Sequence, residues 1–307
     1  MITIGTDCSG IEAPIAALRQ LKIPHRHLWS CEIDKFARKS IEANYNPETI
    51  YEDITKRDHS KLPDVDIYVC GFPCQPFSLA GKLEGLKDKR SNIMFECIKV
   101  IRSKQPKIFI LENVKNFVGF DSGRPYQYLR SKLDNIGKYN IFSYTLNTRD
   151  YGIPQNRNRL YIVGILRKNH IHEFRIPRPK PMKPLEEFLE STKIYANSPL
   201  TDKDIVRLEK HQKCTLSSLK GNYIAARDSF MFCMKGIVST IKTKGTHYLV
   251  KYRRFISARE YLNLQGFPRS FKIVVSKSQI VKQAGNSMSV CVLVAIFKEL
   301  HASTNVF

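Results

Sequence analysis

The chain has 307 residues, 42% of them hydrophobic, which allows about two structural units with a sizeable core and excludes disordered and collagen-like classes. Fifty Lys and Arg against 28 Asp and Glu give a net charge of +22, so an anionic partner is expected, either nucleic acid or a membrane surface. There is no run of about 18 apolar residues to predict a transmembrane helix, and Met1–Pro14, with Asp7 and Glu12, lacks the features of a signal peptide.

Ile2–Thr6 is a short β-branched run that predicts a strand. Apolar residues at 11, 15, 18 and 21 then predict a helix over Ile11–Leu21. His27–Ile33 and Asp34–Tyr45 repeat the order, strand then helix. Val65–Phe72 and Lys107–Leu111 read as buried strands. Between them Asn92–Arg102 sets Met94, Cys97, Ile98 and Ile101 on one helical stripe. Asn140–Leu146 and Leu160–Leu166 predict two closing strands. This alternation predicts a doubly wound α/β fold, with a mostly parallel sheet and helices on both faces.

From about residue 170 the texture changes. Pro177, Pro179, Pro181 and Pro184 stand among lysines and arginines in a linker that suits neither helix nor central strand. The stretch to 252 has weak periodicity and is expected to be a small, irregular, β-leaning domain. Helical spacing returns over Ser257–Leu264 and, more strongly, over Ser287–Leu300. The expected organisation is a first domain over 1–169, an insertion over 170–252, and a completion of the first domain over 253–307. Residues 167–253 hold 18 basic and 8 acidic side chains, which marks them as the expected phosphate-facing part. A generally basic surface is the plainer alternative.

In open α/β sheets ligands bind beyond the carboxyl ends of the strands, near helix N-termini. Asp7-Cys8-Ser9-Gly10-Ile11 falls between the first strand and first helix, where Gly10 lets backbone approach a ligand. Glu32 ends the second strand, where an acid would take ribose hydroxyls, and Asp53-Ile54 follow the third strand region. There is no full GxGxxG, and the pattern also suits the adenosyl part of S-adenosylmethionine. Each of these residues alone is more often an ordinary turn or cap.

Gly71-Phe72-Pro73-Cys74-Gln75-Pro76-Phe77-Ser78 holds a cysteine between two prolines just past a buried strand. That setting suits a positioned thiolate nucleophile better than a buried small hydrophobe. The other seven cysteines form no CxxC pair and have no histidines at zinc spacing, so they read as reduced intracellular thiols, with no metal. Residues 79–92, with Gly81, Gly85, Lys82 and Arg90, suit a basic loop that closes over a polyanion. Glu112, directly after a buried strand, is either a desolvated acid or a surface strand end. Gln155, Arg157 and Arg159 alternate and would share one face of a strand.

With these residues the chain resembles the DNA (cytosine-5) methyltransferases, especially the compact bacterial and viral modification enzymes. GFPCQPFS resembles the nucleophile motif, LENVKNF the ENV motif and DYGIPQNRNRLYIVG the QxRxR motif. Arg254–Pro268 and Gln283-Ala284-Gly285-Asn286-Ser287 resemble the family's last two motifs. The match spans nearly the whole chain and keeps the motif order. Two departures touch the cofactor: the Gly-rich first motif reads Cys8-Ser9-Gly10-Ile11-Glu12-Ala13, and Ile33 stands where the family often has Trp.

The resemblance implies a Rossmann-like S-adenosylmethionine-dependent methyltransferase sheet with an inserted target-recognition domain. It implies methyl transfer to C5 of a flipped cytosine in double-stranded DNA, through a Cys74–C6 adduct, with Glu112, Arg157 and Arg159 assisting. The cofactor would be held by Cys8, Ser9, Gly10, Ile11, Glu32 and Ile33, together with Asp53, Ile54 and Pro73, and by Asn286, Ser287 and Met288. DNA would be touched by Gln75, Ser78, Lys82, Arg90 and Thr240. The expected setting is intracellular and monomeric, without a membrane, with a restriction endonuclease as functional partner. Two alternatives are the related tRNA branch, whose late Cys-Phe-Thr motif is not found, and an inactive DNA-binding regulator, which would lack Cys74 or Glu112.

Overall fold

The structure is a computed structural model that describes residues 1–73, 92–191, 199–227 and 231–307. Two compact units emerge. The first comprises Met1–Leu146, Asn158–Arg178 and Val292–Phe307, and the second comprises Asn147–Arg157 and Pro179–Cys291. The return to the first unit therefore comes at Val292, not at 253, because Ile256, Tyr261, Leu264, Val281 and Ala284 share a core with Val238 and Ile241.

In chain order the elements begin β1 (Ile2–Asp7), α1 (Ala13–Gln20), β2 (His25–Cys31), α2 (Lys35–Asn44), β3 (Thr49–Tyr51) and β4 (Ile67–Cys70). They continue with α3 (Asn92–Lys104), β5 (Ile108–Val114), α4 (Arg124–Asp134) and β6 (Tyr139–Asn147). The two-residue β7 (Gln155–Asn156) belongs to the second unit, and β8 (Asn158–Leu166) returns to the first.

The first unit is built on a seven-stranded sheet of order β3-β2-β1-β4-β5-β8-β6. Strands β1 to β5 are parallel, and β8 runs antiparallel to β5. Every residue of β4 is buried, as are six of the seven in β5. A strand buried at successive positions is covered on both faces, which is why these two read as continuous apolar runs. Trp29, Tyr68, Phe109 and Phe117 are the largest fully buried side chains of this core. The chain order reverses between β1 and β4, so their carboxyl ends flank a topological switch point, the usual ligand edge of such sheets.

Helix α1 starts at Ala13, two residues later than its spacing predicts. Cys8, Gly10 and Glu12 all have positive φ, at 49°, 57° and 60°, so the turn stays non-helical until Pro14 can enter the first helical turn. Helix α4 buries only Pro125, Leu129 and Leu133, too sparse an apolar spacing to predict a helix.

The second unit continues with α5 (Asp202–Gln212), β9 (Tyr223–Arg227), β10 (Cys233–Lys235), β11 (Val238–Ser239), β12 (Thr246–Leu249) and β13 (Arg254–Phe255). These are followed by α6 (Ala258–Leu264) and α7 (Lys277–Asn286). Strands β10-β9-β12-β13 form one small sheet, and β11 pairs in parallel with β7. Helix α8 (Val290–Ser303) closes the described chain. Lys277–Ser303 reaches the length and mean hydropathy, 1.5, of a membrane-crossing helix, which a search for unbroken apolar runs misses. Its most apolar window is 78% buried within the protein, as in a core helix, and residues 287–289 divide it into α7 and α8.

Candidate active site

At the end of β1, Asp7 is 1% exposed and carries a dense set of donors. Arg57 Nη1 and Nη2 each donate to it at 2.7 Å, the Tyr68 hydroxyl at 2.8 Å and the Trp29 indole at 3.3 Å. Asp7 is thus a fastening for the ends of β1, β2 and β4, and no ligand need be invoked for it. Arg57 and Tyr68 drew no attention in the sequence. The only hint was an arginine four residues past Asp53, on the segment that this ion pair fixes.

The next residues face the expected ligand edge. Ser9 N–H donates to the Cys31 carbonyl at 3.1 Å, and Cys31 N–H donates to Ser9 Oγ at 3.2 Å, which laces the turn to β2. Gly10 N–H donates to Glu32 Oε2 at 2.8 Å, and Asp34 N–H donates to Glu32 Oε1 at 2.9 Å. Each carboxylate oxygen of Glu32 therefore keeps capacity for a further donor. Burial pushes the Glu32 carboxyl up, against those two backbone donors. A Cβ at Gly10 would meet nothing within 4 Å, so this backbone borders open space. Beside Glu32, Ile33 is 73% exposed, an apolar side chain left uncovered at a strand end. Ile11 and Ile54 are buried. Asp53 Oδ1 accepts from the Thr55 amide and hydroxyl, and the hydroxyl above all holds its carboxyl below the ordinary range.

Cys74, Gln75, Ser78, Lys82 and Arg90 lie outside the described residues. The approach to them is described: Phe72 is buried, and its carbonyl accepts from Asn113 Nδ2 at 3.4 Å. Pro73 is half-buried. Asn113 follows Glu112 at the end of β5, so the peptide two residues before Cys74 is tied to the strand that carries the acid. Glu112 is 7% exposed, which removes the surface strand-end reading. Its Oε1 lies 3.1 Å from Arg159 Nε. The pair is set by the antiparallel register of β5 and β8, in which Glu112 faces Tyr161 and Val114 faces Arg159. A carboxyl and a guanidinium side by side present both an acceptor and donors, which is what a planar heterocycle with mixed edges requires.

The expected common face of Gln155, Arg157 and Arg159 does not form. The strand is interrupted at Arg157, between β7 and β8, and the segment divides between the two units. Arg157 is 2% exposed and donates to the carbonyls of Ile241, Gly285 and Ser287 at 2.8–3.0 Å. Its guanidinium is committed to backbone, so it braces the second unit and is not a group aimed at a reacting base. Gln155 is likewise buried and donates to the Leu264 carbonyl at 2.7 Å. Thr240 Oγ1 donates to the Asn156 carbonyl at 2.7 Å, and Ile241 is buried. Asn286 is exposed, while Ser287 and Met288 are buried within the second unit. Among the described residues no cluster of three His, Cys, Asp or Glu side chains could hold a metal ion.

The model of the C-5 cytosine-specific DNA methylases matches residues 8–302. The type II methyltransferase M.NlaX of Neisseria lactamica is 36% identical, over 91% of this chain and 89% of its own length. M.NgoBI of Neisseria gonorrhoeae is 37% identical, over 89% and 85%. Among solved structures, a DNA modification methyltransferase encoded within an E. coli prophage superposes with a TM-score of 0.74 over 99% of both chains, at 20% identity.

Proposed function

Because the chain belongs to the C-5 cytosine-specific DNA methylase family, we propose that it methylates C5 of a cytosine turned out of a specific double-stranded DNA sequence, through a covalent Cys74–C6 bond. The observation that carries this reading is the Glu112–Arg159 pair, two partly desolvated groups of opposite charge held 3.1 Å apart at adjacent strand ends. Cytosine C5 is too weak a nucleophile to attack a methyl sulfonium unaided. Addition of the Cys74 thiolate to C6 forms an S–C6 bond and pushes an electron pair toward C5 and N3. Glu112 would share a proton with N3, and the Arg159 guanidinium would donate a hydrogen bond to the exocyclic O2. When bound, S-adenosylmethionine supplies the electrophilic methyl group to C5. Removal of the C5 proton then returns the electron pair, breaks the S–C6 bond and releases the thiolate. Since C6 is inaccessible within a duplex, the base has to leave the stack.

The residues at the ligand edge fit the adenosyl group. Glu32 has spare acceptor capacity for ribose hydroxyls, Ile33 offers apolar surface, and Gly10 borders open space. Cys8, Ser9, Ile11, Asp53, Ile54 and Pro73 would complete this side, with Asn286, Ser287 and Met288 carried over from the family motif. The +22 charge suits phosphate contact, and the type II relatives suggest pairing with a restriction endonuclease. Bisulfite sequencing of DNA from cells expressing the protein tests the reading. Protected cytosines within one short sequence are expected, and a pattern identical to that of cells without the protein would overturn it.

A further inference from the structure

Glu12 stands where a Gly-rich turn would hold a residue without a side chain. It is fully buried, and its φ of 60° is a left-handed setting that disfavours an ordinary side chain. Glycine there would relieve both the strain and the desolvation of an acid. The carboxyl has evident work to do instead. Its Oε1 accepts from Thr6 Oγ1 on β1 at 2.6 Å and from Ser30 Oγ on β2 at 2.5 Å. His27 Nε2 lies 3.1 Å from Ser30 Oγ and 3.5 Å from the same carboxyl oxygen. Glu12 Oε2 and His27 Nδ1 are buried with no hydrogen-bond partner among the described residues.

This cluster lies beneath the turn whose upper side carries the residues assigned to the cofactor. Thr6 Oγ1 is 2.8 Å from Ser9 Oγ, Glu12 N–H donates to the Ser9 carbonyl at 2.9 Å, and Ser9 is laced to Cys31. The same turn brings Gly10 N–H onto Glu32. One carboxyl thus joins β1, the turn and β2, and sets the distance between Gly10 and Glu32. We infer that Glu12 is a positioning residue for the cofactor, bracing Gly10 and Glu32 through Thr6, Ser9 and Ser30. The inference rests on the cofactor reading above.

The electrostatics favour the neutral acid in that role. Burial pushes Glu12 up to about 7 against the three hydroxyls, and the charge of Glu32 pushes the same way. Burial, with His25 and Arg19 adding to it, holds His27 down to about 3, so no cation forms beneath the carboxyl near neutrality. Of the neighbouring basic groups, Arg57 is engaged with Asp7, and Arg38 with backbone carbonyls and Glu52. Tyr45, at the C-terminal end of α2, is itself pushed up by burial and then by Glu12. Deprotonating Glu12 would therefore place a second, uncompensated negative charge next to Glu32. The folded-state carboxyl lies above its ordinary range, so Glu12 gains its charge as pH rises through about 7, and that buried charge, repelled by Glu32, works against the turn it braces.

Calorimetric binding of S-adenosylhomocysteine between pH 6 and 8 tests this, with thermal unfolding as the control for folding. Wild-type affinity should fall about tenfold from pH 6 to pH 8. Glu12→Gln, whose amide oxygen can still accept from Thr6 and Ser30, should bind as wild type does at pH 6 and show no fall. Glu12→Gly, which suits the positive φ and should fold, should bind at least about tenfold more weakly. Glycine binding as tightly as wild type, or identical pH profiles for wild type and Glu12→Gln, would overturn the inference while leaving the cofactor reading intact. A wild-type protein that binds no S-adenosylhomocysteine at any pH would overturn the cofactor reading itself, and the inference with it.

Discussion

Arg57 donates two hydrogen bonds of 2.7 Å to Asp7 across fifty residues of sequence, with its side chain 3% exposed and that of Asp7 fully buried. The pair ties the segment bearing Asp53 to the end of β1. Removing one partner leaves the other charge buried and uncompensated, which typically costs about 3–5 kcal/mol. Arg57→Ala should lower the urea midpoint accordingly, while Asp7→Asn combined with Arg57→Met should lose less than Arg57→Ala alone. A single variant as stable as wild type would show that the pair contributes nothing to folding.

Cys74→Ser should abolish methyl transfer and spare DNA binding, because a serine alkoxide is hard to form and adds poorly to C6. A 5-fluorocytosine substrate should trap the wild type covalently, since the fluorine cannot depart as a proton does. Retention of more than about a tenth of the wild-type rate by the serine variant would point to a different nucleophile.

Glu112→Gln keeps a hydrogen-bonding group beside Arg159 but cannot supply a proton at N3. Single-turnover rates should fall by about 10²–10⁴-fold, with little change in cofactor affinity. Arg159→Ala should fall too, and the double variant should fall by less than the product of the two, because the groups touch. Additive losses would mean that the two residues act separately.

Gly285 lies against backbone: a Cβ there would sit 2.4 Å from the Lys242 carbonyl carbon and from the Thr243 amide nitrogen. Its carbonyl also receives Arg157. Gly285→Ala should therefore destabilise by about 1–3 kcal/mol through forced displacement of the Lys242–Thr243 backbone. An unchanged denaturation midpoint would show that this approach can open freely.

DNA affinity should drop steeply with salt, each neutralised phosphate contributing a slope of about −0.9 in log K against log salt. A slope equivalent to fewer than about two phosphates would assign the +22 charge to some other partner.

What the sequence made legible follows from periodicity. Strands β4 and β5 are buried at successive positions and announce themselves as apolar runs, and α3 shows its stripe at 94, 97, 98 and 101. Helix α5 was missed inside a stretch read as irregular, although Thr201 caps it by accepting from the Asp204 amide. A capping residue is visible in sequence only when a strong apolar period follows, and α5 buries just Asp204 and Leu208. Glu112 and Arg159 were nameable, but their pairing depends on the β5–β8 register, a long-range fact. Arg157 misled for the opposite reason. Alternation suggested one continuous strand, whereas three backbone carbonyls of the second unit draw its side chain away.

The chain crosses between the two units at residues 146/147, 157/158, 178/179 and 291/292. In the first unit the Ser303 carbonyl receives the amides of Ile171 and His172, and His170 bridges to Thr304. During synthesis, then, the strand that ends at Leu166 emerges well before the helix that covers its continuation. At about 5–20 residues per second the ribosome needs on the order of ten seconds to deliver the second unit in between. For that interval the nascent first unit lacks Val292–Phe307, and the apolar surface that will receive Leu293, Ile296, Phe297 and Leu300 stands open. Until translation ends, that open surface is where the nascent chain is most prone to aggregate.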